Sequence, residues 1–162
     1  MDMERKMRRF KQQLSESETI ELLRSTTAGV LAQCGEDMQP YGVPLSHVYD
    51  NRKLYFHSAL NGHKLDLIEE NSNVCFTVIV QDEIHPETYT TYYRSVIVFG
   101  KISIIDDEEE KRKALELLGQ HYNPTDAIGL QKEIASGFHR CKMLIMEIER
   151  LTGKQSIELV KR

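Results

Sequence analysis

VCFTVIV, residues 74–80, is the stretch that decides how this chain folds. It is rich in β-branched and aromatic residues, which favour strands, and it is apolar on both faces instead of alternating. The runs at 96–105 and 142–148 share this property. One face of a sheet joined by short hairpins normally meets water, so apolar residues on both faces require a second cover. We therefore expect a sheet closed into a barrel, with its outside covered as well.

The outer cover must come from helices or from another subunit. Helical patterns are predicted at 17–25, at 62–71, from Asp106 or Asp107 through 122, and near 126–136. We expect Ser17 to cap the first of these helices, next to Glu18. Because so few helices cannot cover three strands, the sequence favours a homodimer that associates through the barrel wall. The predicted fold class is mainly β with flanking helices.

Further strands are expected before the 74–80 run. AGVLAQ at 28–33 and YGVPLSHVYD at 41–50 are predicted to form a hairpin, and KLYFHS follows the turn at 50–53. The polar link DEIHPETYTTY at 82–92 is expected to be irregular because proline cannot donate a ladder hydrogen bond. Residues 1–162 are interpreted as one domain, with 1–14 as a basic arm that extends into water.

Composition limits the classes of function. A chain of 162 residues suits a single core. With 21 basic and 25 acidic residues and a net charge of −4, the chain has no general attraction to nucleic acid or to an anionic membrane. No apolar run approaches the roughly 18 residues of a membrane helix, and no leader is evident. We expect a soluble cytoplasmic protein whose three cysteines are reduced and buried.

The segment YFHSALNGHKLDLIEEN at 55–71 is the candidate binding site. A strand runs directly into a helix there, with His57, Ser58, His63 and Lys64 around the junction. Free N–H groups of a helix's first turn attract anions such as phosphate, and lysine, histidine and serine add charge and donors. A solvated helix start is the commoner explanation of such a pattern, and both interpretations stay open at this point.

Other site chemistries have less support. His57 and His63 are six residues apart without a third ligand at a typical spacing, so no metal site is predicted. Ser46, Ser58 and Ser95 lack the setting of a nucleophilic serine. Catalytic residues are therefore not identified, although His57 or the tyrosines at 88–93 could donate protons or cover a pocket.

Two long segments, 29–78 and 93–118, together resemble the pyridoxamine 5'-phosphate oxidase-related flavoproteins, especially the nitroimidazole resistance (Nim) branch. The resemblance extends over roughly residues 5–154. It implies an FMN-binding split β-barrel, a homodimer with FMN in the groove between its subunits. The cofactor-binding residues that it implies are Val43, Pro44, Leu45, Ser46, His57, Ser58, Ala59, His63, Lys64 and Ser95.

Two departures from the oxidases matter. His63 stands where they carry an arginine, so phosphate binding is expected to weaken as rising pH removes a histidine's charge. The carboxy-terminal Arg-x-His element that holds pyridoxal phosphate is missing from the ending ERLTGKQSIELVKR, and its LTGK resembles the Nim branch. Pyridoxamine phosphate oxidation is therefore not expected.

The function that the resemblance implies is an FMN-dependent oxidoreductase acting on a small electron-poor acceptor such as a nitroaromatic. FAD is the alternative cofactor. Two other interpretations remain: a flavin- or haem-binding split barrel with little turnover, and a structural dimer module that binds nothing.

Overall fold

The computed structural model describes residues 6–160, and its framework is one seven-stranded antiparallel sheet. The strands are β1 (Ala28–Cys34), β2 (Pro40–Ser46), β3 (Val48–Asp50), β4 (Lys53–Ser58), β5 (Asn73–His85), β6 (Thr90–Ile104) and β7 (Lys142–Gln155). The helices are α1 (Glu16–Arg24), α2 (His63–Glu70), α3 (Glu108–Tyr122) and α4 (Ala127–Gly137). Short 3₁₀ helices lie at Phe10–Gln12, Phe138–Arg140 and Ile157–Leu159. The prediction of a mainly β fold with flanking helices is confirmed.

The sheet curls on itself. Its strand order is β2-β1-β5-β6-β7-β4-β3, so β2 and β3 lie at opposite ends of the sheet although only His47 separates them in the chain. This one-residue link brings the two ends together around an apolar interior. The fully buried side chains inside include Leu31, Leu54, Phe56, Phe76, Val78, Val96, Val98, Leu144 and Met146.

The prediction of a single strand over 41–50 is wrong. β2 pairs with β1, whereas β3 pairs with β4 at the other end of the sheet. β4 in turn pairs with β7, which is distant in sequence. At His47 the chain passes from one end of the sheet to the other. The residues before it pair with β1 and the residues after it pair with β4.

Helix α1 begins earlier than predicted. Ser15, not Ser17, is its N-cap: the Glu18 backbone N–H donates to Ser15 Oγ, and the Glu18 carboxylate accepts from the Ser15 N–H. With this start, Glu16 and Glu18 lie in the first turn, where the helix dipole favours acidic side chains. The predictions for α2, α3 and α4 are confirmed, including the Asp107 cap of α3.

The link at 82–92 is not irregular. β5 and β6 pair as far as His85 and Thr90, so this segment forms the end of a long hairpin. Pro86 lies in the turn beyond the last ladder pair, where no N–H is needed, and Tyr89 adopts a φ of 51° there. The hairpin carries Ile84 and Tyr89 into solvent.

The amino-terminal arm is only partly solvated, contrary to expectation. Gln13 bridges to Lys154, the Leu14 N–H donates to the Gly153 carbonyl at 3.0 Å, and Gln12 and Leu14 are buried. Residues 1–5 of the predicted arm lie outside the described residues.

The cysteines are free but half-buried, so the prediction of buried thiols is wrong. Cys34 ends β1, Cys75 lies in β5, and Cys141 directly precedes β7. Over residues 6–160, none of the helices is both long and apolar enough to cross a membrane.

Candidate functional site

The start of α2 is an open helix end. Gly62 precedes the helix with a φ of 145°, a conformation that glycine tolerates and side-chain-bearing residues rarely adopt. None of the described side chains caps this helix, and its first backbone hydrogen bonds run from the Leu65 and Asp66 N–H groups to the Gly62 carbonyl. The N–H groups of His63 and Lys64 therefore lack an intrahelical partner. Such groups, aligned with the helix dipole, form an anion-binding position.

Two cationic or potentially cationic side chains border this helix end. The exposed His63 ring contacts Tyr41 edge-on, with ring centroids 4.8 Å apart. Lys64 is half-buried, and within residues 6–160 its ammonium group makes neither a hydrogen bond nor an ion pair. A lysine held beside free N–H groups without a carboxylate partner is suited to a phosphate.

Gln33 positions the helix start from inside the barrel. Its Nε2 donates to the Lys64 carbonyl at 3.0 Å, while its Oε1 is buried without a partner. Sequence reasoning missed Gln33 and Tyr41. The signal for Gln33 was present, because it occupies an inward position of β1, two residues after the fully buried Leu31.

Ser58 is the second unsatisfied polar group in this part of the barrel. It is only 4% exposed at the end of β4, and its Oγ has no hydrogen-bond partner in the described part of the chain. A buried polar group left unsatisfied costs about 1–3 kcal/mol. Ser58 lies just before the junction between β4 and α2, where a ligand or a water molecule could supply the missing hydrogen-bond partner of its hydroxyl.

His57 lies apart from Ser58. Consecutive strand residues point to opposite sides of a sheet, and His57 is exposed in a cavity formed with α3 and α4. Ala59 follows at the exposed end of the strand. The structure thus joins His63 and Lys64 to Tyr41 and Gln33 by direct contacts, but it separates the two members of the His57–Ser58 pair.

The remaining predicted residues divide between the two sides of the wall. The side chains of Val43 and Leu45 pack towards the core, so a ligand on the outer side of β2 would contact only the backbone of these two residues. Pro44 and Ser46 alternate with them and lie on the outer side. Ser95 is on the outer side of β6, in register with Ile79 and Lys154. Contact of these residues with a flavin stays a prediction.

The outer side of β2, β1, β5, β6 and β7 forms a wall of small and apolar residues, which we call the open wall. One row of register neighbours across it is Pro44, Val30, Thr77, Ile97 and Thr152, and the next is Gly42, Ala32, Cys75, Phe99 and Arg150. Val30 is 42% exposed and Ile79 is 72% exposed. A continuous exposed patch of this kind marks an interaction surface.

Charge on the open wall is low. The Arg150 guanidinium lies over the Phe99 ring at 4.2 Å from its centroid. Desolvation by burial raises the pKa of the Cys75 thiol, with a smaller opposing effect of the Thr77 hydroxyl. Cys75 therefore stays a neutral thiol on an apolar surface. Among the described residues, no three His, Cys, Asp or Glu side chains are grouped to hold a metal ion.

Comparison with known proteins establishes the class. The model of the pyridoxamine 5'-phosphate oxidase family matches residues 15–155, and the chain belongs to that family. The resemblance inferred from the sequence is confirmed. No protein with a curated description matches the chain.

Solved structures of the same fold include proteins described as flavin-binding. A candidate 5-nitroimidazole antibiotic resistance protein from Bacteroides thetaiotaomicron is 25% identical, with a TM-score of 0.77 over 88% of this chain and 86% of that one. An FAD-binding protein from Mesorhizobium loti is 26% identical, with a TM-score of 0.60 over 89% and 96%. An FAD and haem binding protein from Mycobacterium smegmatis is 21% identical, with a TM-score of 0.75 over 94% and 76%.

Proposed function

We propose that this protein binds FMN and reduces a small electron-poor acceptor, with nitroaromatic compounds as the first class to test. The observation that carries the proposal is the start of α2, which no described side chain caps and beside which Lys64 has no partner within residues 6–160. Membership of the family and similarity to a protein described with 5-nitroimidazole resistance support the cofactor class and the acceptor class.

The phosphate of FMN is the part of the cofactor that these residues fit best. A phosphomonoester carries nearly two negative charges, and it is stabilised by cations and by short charge-assisted hydrogen bonds. Lys64 supplies the cation, the His63 and Lys64 N–H groups supply donors, and the Ser58 hydroxyl supplies a further donor. Gln33 holds this helix end in place through the Lys64 carbonyl.

A second copy of the chain is the proposed cover of the open wall. Five strands present small and apolar residues there. Met7 and Phe10 of the amino-terminal arm line a cavity with Ile97 and Phe99 on the β6–β7 part of the wall, and burial of the remaining surface would stabilise a twofold dimer. The flavin ring would then lie in the groove beside the wall, with Pro44, Ser46 and Ser95 on its border. The bound flavin supplies the electron transfer, and the protein orients the ring and excludes water from it.

The absorbance spectrum of the purified protein, with mass analysis of any chromophore released on denaturation, is the direct experiment. FMN is expected; FAD would change the cofactor assignment, and haem bands would favour the alternative of a haem-binding barrel. A colourless protein that does not bind added flavin would overturn the proposed function. Reduction of a nitroimidazole by the flavin-loaded protein with NAD(P)H or dithionite tests the acceptor class.

Lys64→Gln tests the phosphate site. Loss of a hydrogen bond to a charged group costs about 1.5–3 kcal/mol, which corresponds to a roughly 10- to 150-fold rise in the Kd for FMN. Lys132→Gln, an equal charge change at an exposed position of α4, is the matched control and should leave the Kd unchanged. Equal affinities of wild type and Lys64→Gln would remove this helix end from the site.

His63→Ala tests the second side chain at this helix end. Loss of a hydrogen-bond donor to a charged group costs about 1.5–3 kcal/mol, so the Kd for FMN should rise roughly 10- to 150-fold, as measured by titration of flavin fluorescence. His139→Ala, at another exposed histidine, is the matched control and should leave the Kd unchanged. An unchanged Kd in the His63→Ala protein would show that His63 does not contact the phosphate.

A further inference from the structure

A cavity lies between α3, α4 and the outer side of β4. Its volume is about 440 Å³, within the usual range of small-molecule pockets. The cavity is separate from the helix end described above. Its lining includes none of the residues found there: Gln33, Tyr41, His63 and Lys64. His57 is the only predicted cofactor residue that faces it within the described chain.

Two glycines explain why the helices leave this space. At Gly119 an added Cβ would lie 2.1 Å from Leu130 Cδ1, so α3 and α4 touch there. At Gly137, near the other end of α4, an added Cβ would meet nothing within 4 Å. The helices therefore diverge from a tight contact towards an open end. Leucine and isoleucine side chains line the space between them: Leu115, Leu118, Leu130 and Ile134.

The polar groups of the cavity are few and unpaired. His57 is in register with Met143, and Cys141 lies two residues before Met143, so Cys141 and His57 face the cavity from the same side of the sheet. Arg140, the last residue of the 3₁₀ helix just before Cys141, also lines the cavity. Within residues 6–160, neither the Arg140 guanidinium nor the His57 ring has a hydrogen-bond or ion-pair partner. Glu133 on α4 is the one carboxylate in the lining.

We propose that this cavity binds a small organic carboxylate with an apolar body. The carboxylate is bound bidentately by Arg140, with His57 as a second donor, and the apolar body packs against the leucines. Glu133 disfavours a dianion such as a phosphomonoester, because one arginine does not outweigh two like charges beside a carboxylate. The proposal requires only the cavity and is independent of the proposed flavin chemistry.

Paired probes test the charge requirement. 4-Phenylbutyrate and 4-phenylbutan-1-ol share an apolar body but differ in charge, and each is titrated calorimetrically into the protein as isolated. The acid should bind at least tenfold more tightly than the alcohol. Arg140→Gln should weaken the acid about tenfold or more, to the level of the alcohol, and leave the alcohol unchanged. Lys132→Gln, outside the lining, should change neither.

A space-filling substitution tests the location. Gly137→Leu, at a position with open space and a φ of −101°, should abolish binding of both probes, whereas Gly137→Ala should reduce it less. Thermal unfolding of each variant verifies that the fold is retained. Equal binding of acid and alcohol, an unchanged acid affinity in Arg140→Gln, or retained binding in a folded Gly137→Leu protein would overturn the proposal.

Added FMN separates this site from the cofactor site. Phenylbutyrate should bind with the same affinity to flavin-free and flavin-loaded protein. If FMN displaces it, the cavity belongs to the cofactor site and the proposal is wrong, while the proposed function would stand. If FMN fails to bind but phenylbutyrate binds as expected, the proposed function fails and this inference stands.

Discussion

β5, β6 and β7 share one sequence pattern, apolar residues on both faces, but their outer faces have different surroundings in the structure. On β7, Met143 and Ile145 are buried beneath Ala114 and Leu118 of α3. On β5, Ile79 is 72% exposed. An apolar outer face therefore shows that a cover is needed, but whether the cover lies in the same chain depends on where the helices dock.

The largest expected effect is on the covered side. Leu118→Ala should lower the free energy of unfolding by about 2–5 kcal/mol, because it removes a buried side chain between α3 and β7. Urea denaturation measures this change. Ile128→Ala, at a side chain 74% exposed on α4, should stay within about 0.5 kcal/mol of wild type. A loss for Leu118→Ala as small as that of the control would mean that α3 does not stabilise this wall.

On the open wall, substitution should affect association more than folding. Ile79→Arg places a charge on the exposed side of β5, the middle strand of the proposed interface, and should weaken self-association about 100-fold, or about 2.7 kcal/mol. Sedimentation velocity over a concentration series gives the dimer Kd. Ile128→Arg, at an exposed position of α4 outside the open wall, is the control. A wild-type chain that stays monomeric at every concentration would remove the second-copy explanation of the open wall.

A smaller effect, on thermal stability, is expected at His47, which joins β2 of the open wall to β3. His47 is fully buried; its Nε2–H donates to the Leu23 carbonyl at 3.1 Å, and its Nδ1 has no partner. Desolvation by burial lowers the pKa of His47 below 6.5, outweighing the hydrogen bond to Leu23, and the nearby His121 lowers it further. The folded protein thus favours neutral His47, and the unfolded chain takes up a proton first as the pH falls.

Stability from His47 is therefore complete above pH 6.5 and declines as the pH falls below that value. The Tm should decrease between about pH 7.5 and pH 5.5. His47→Gln retains a donor for Leu23 without a titrating ring, so its Tm should depend less on pH even if it is lower throughout. The exposed His139→Gln should keep the wild-type dependence. Equal slopes for all three proteins would exclude His47 as the cause.

The sequence predicted the helices and the buried strands well because their signals are local. Asp107 followed by glutamates marks the start of α3, and the 74–80 run reads as a strand whatever it pairs with. Strand pairing is not local. Nothing in GVPLSHVYD indicates that the hydrogen-bond partner changes at His47, since both halves remain extended.

The candidate site was predicted in part. Helix periodicity located His63 and Lys64 at the helix start, but Gln33 and Tyr41 arrive there only through the packing of α2 on β1 and β2. The division between His57 and Ser58 was foreseeable, because neighbours in a strand face opposite ways. The resemblance grouped them as one pair, whereas the alternation of the strand separates them.

The position of β7 in the strand order affects how the protein is made. β7 follows the other six described strands in the sequence, yet it lies between β6 and β4 in the sheet. On the ribosome, the facing edges of those two strands stay unpaired until residues 142–155 have left the exit tunnel. The barrel thus cannot close before β7 emerges, and a chain truncated before this strand would expose two sheet edges, the surfaces on which nascent chains aggregate or recruit chaperones.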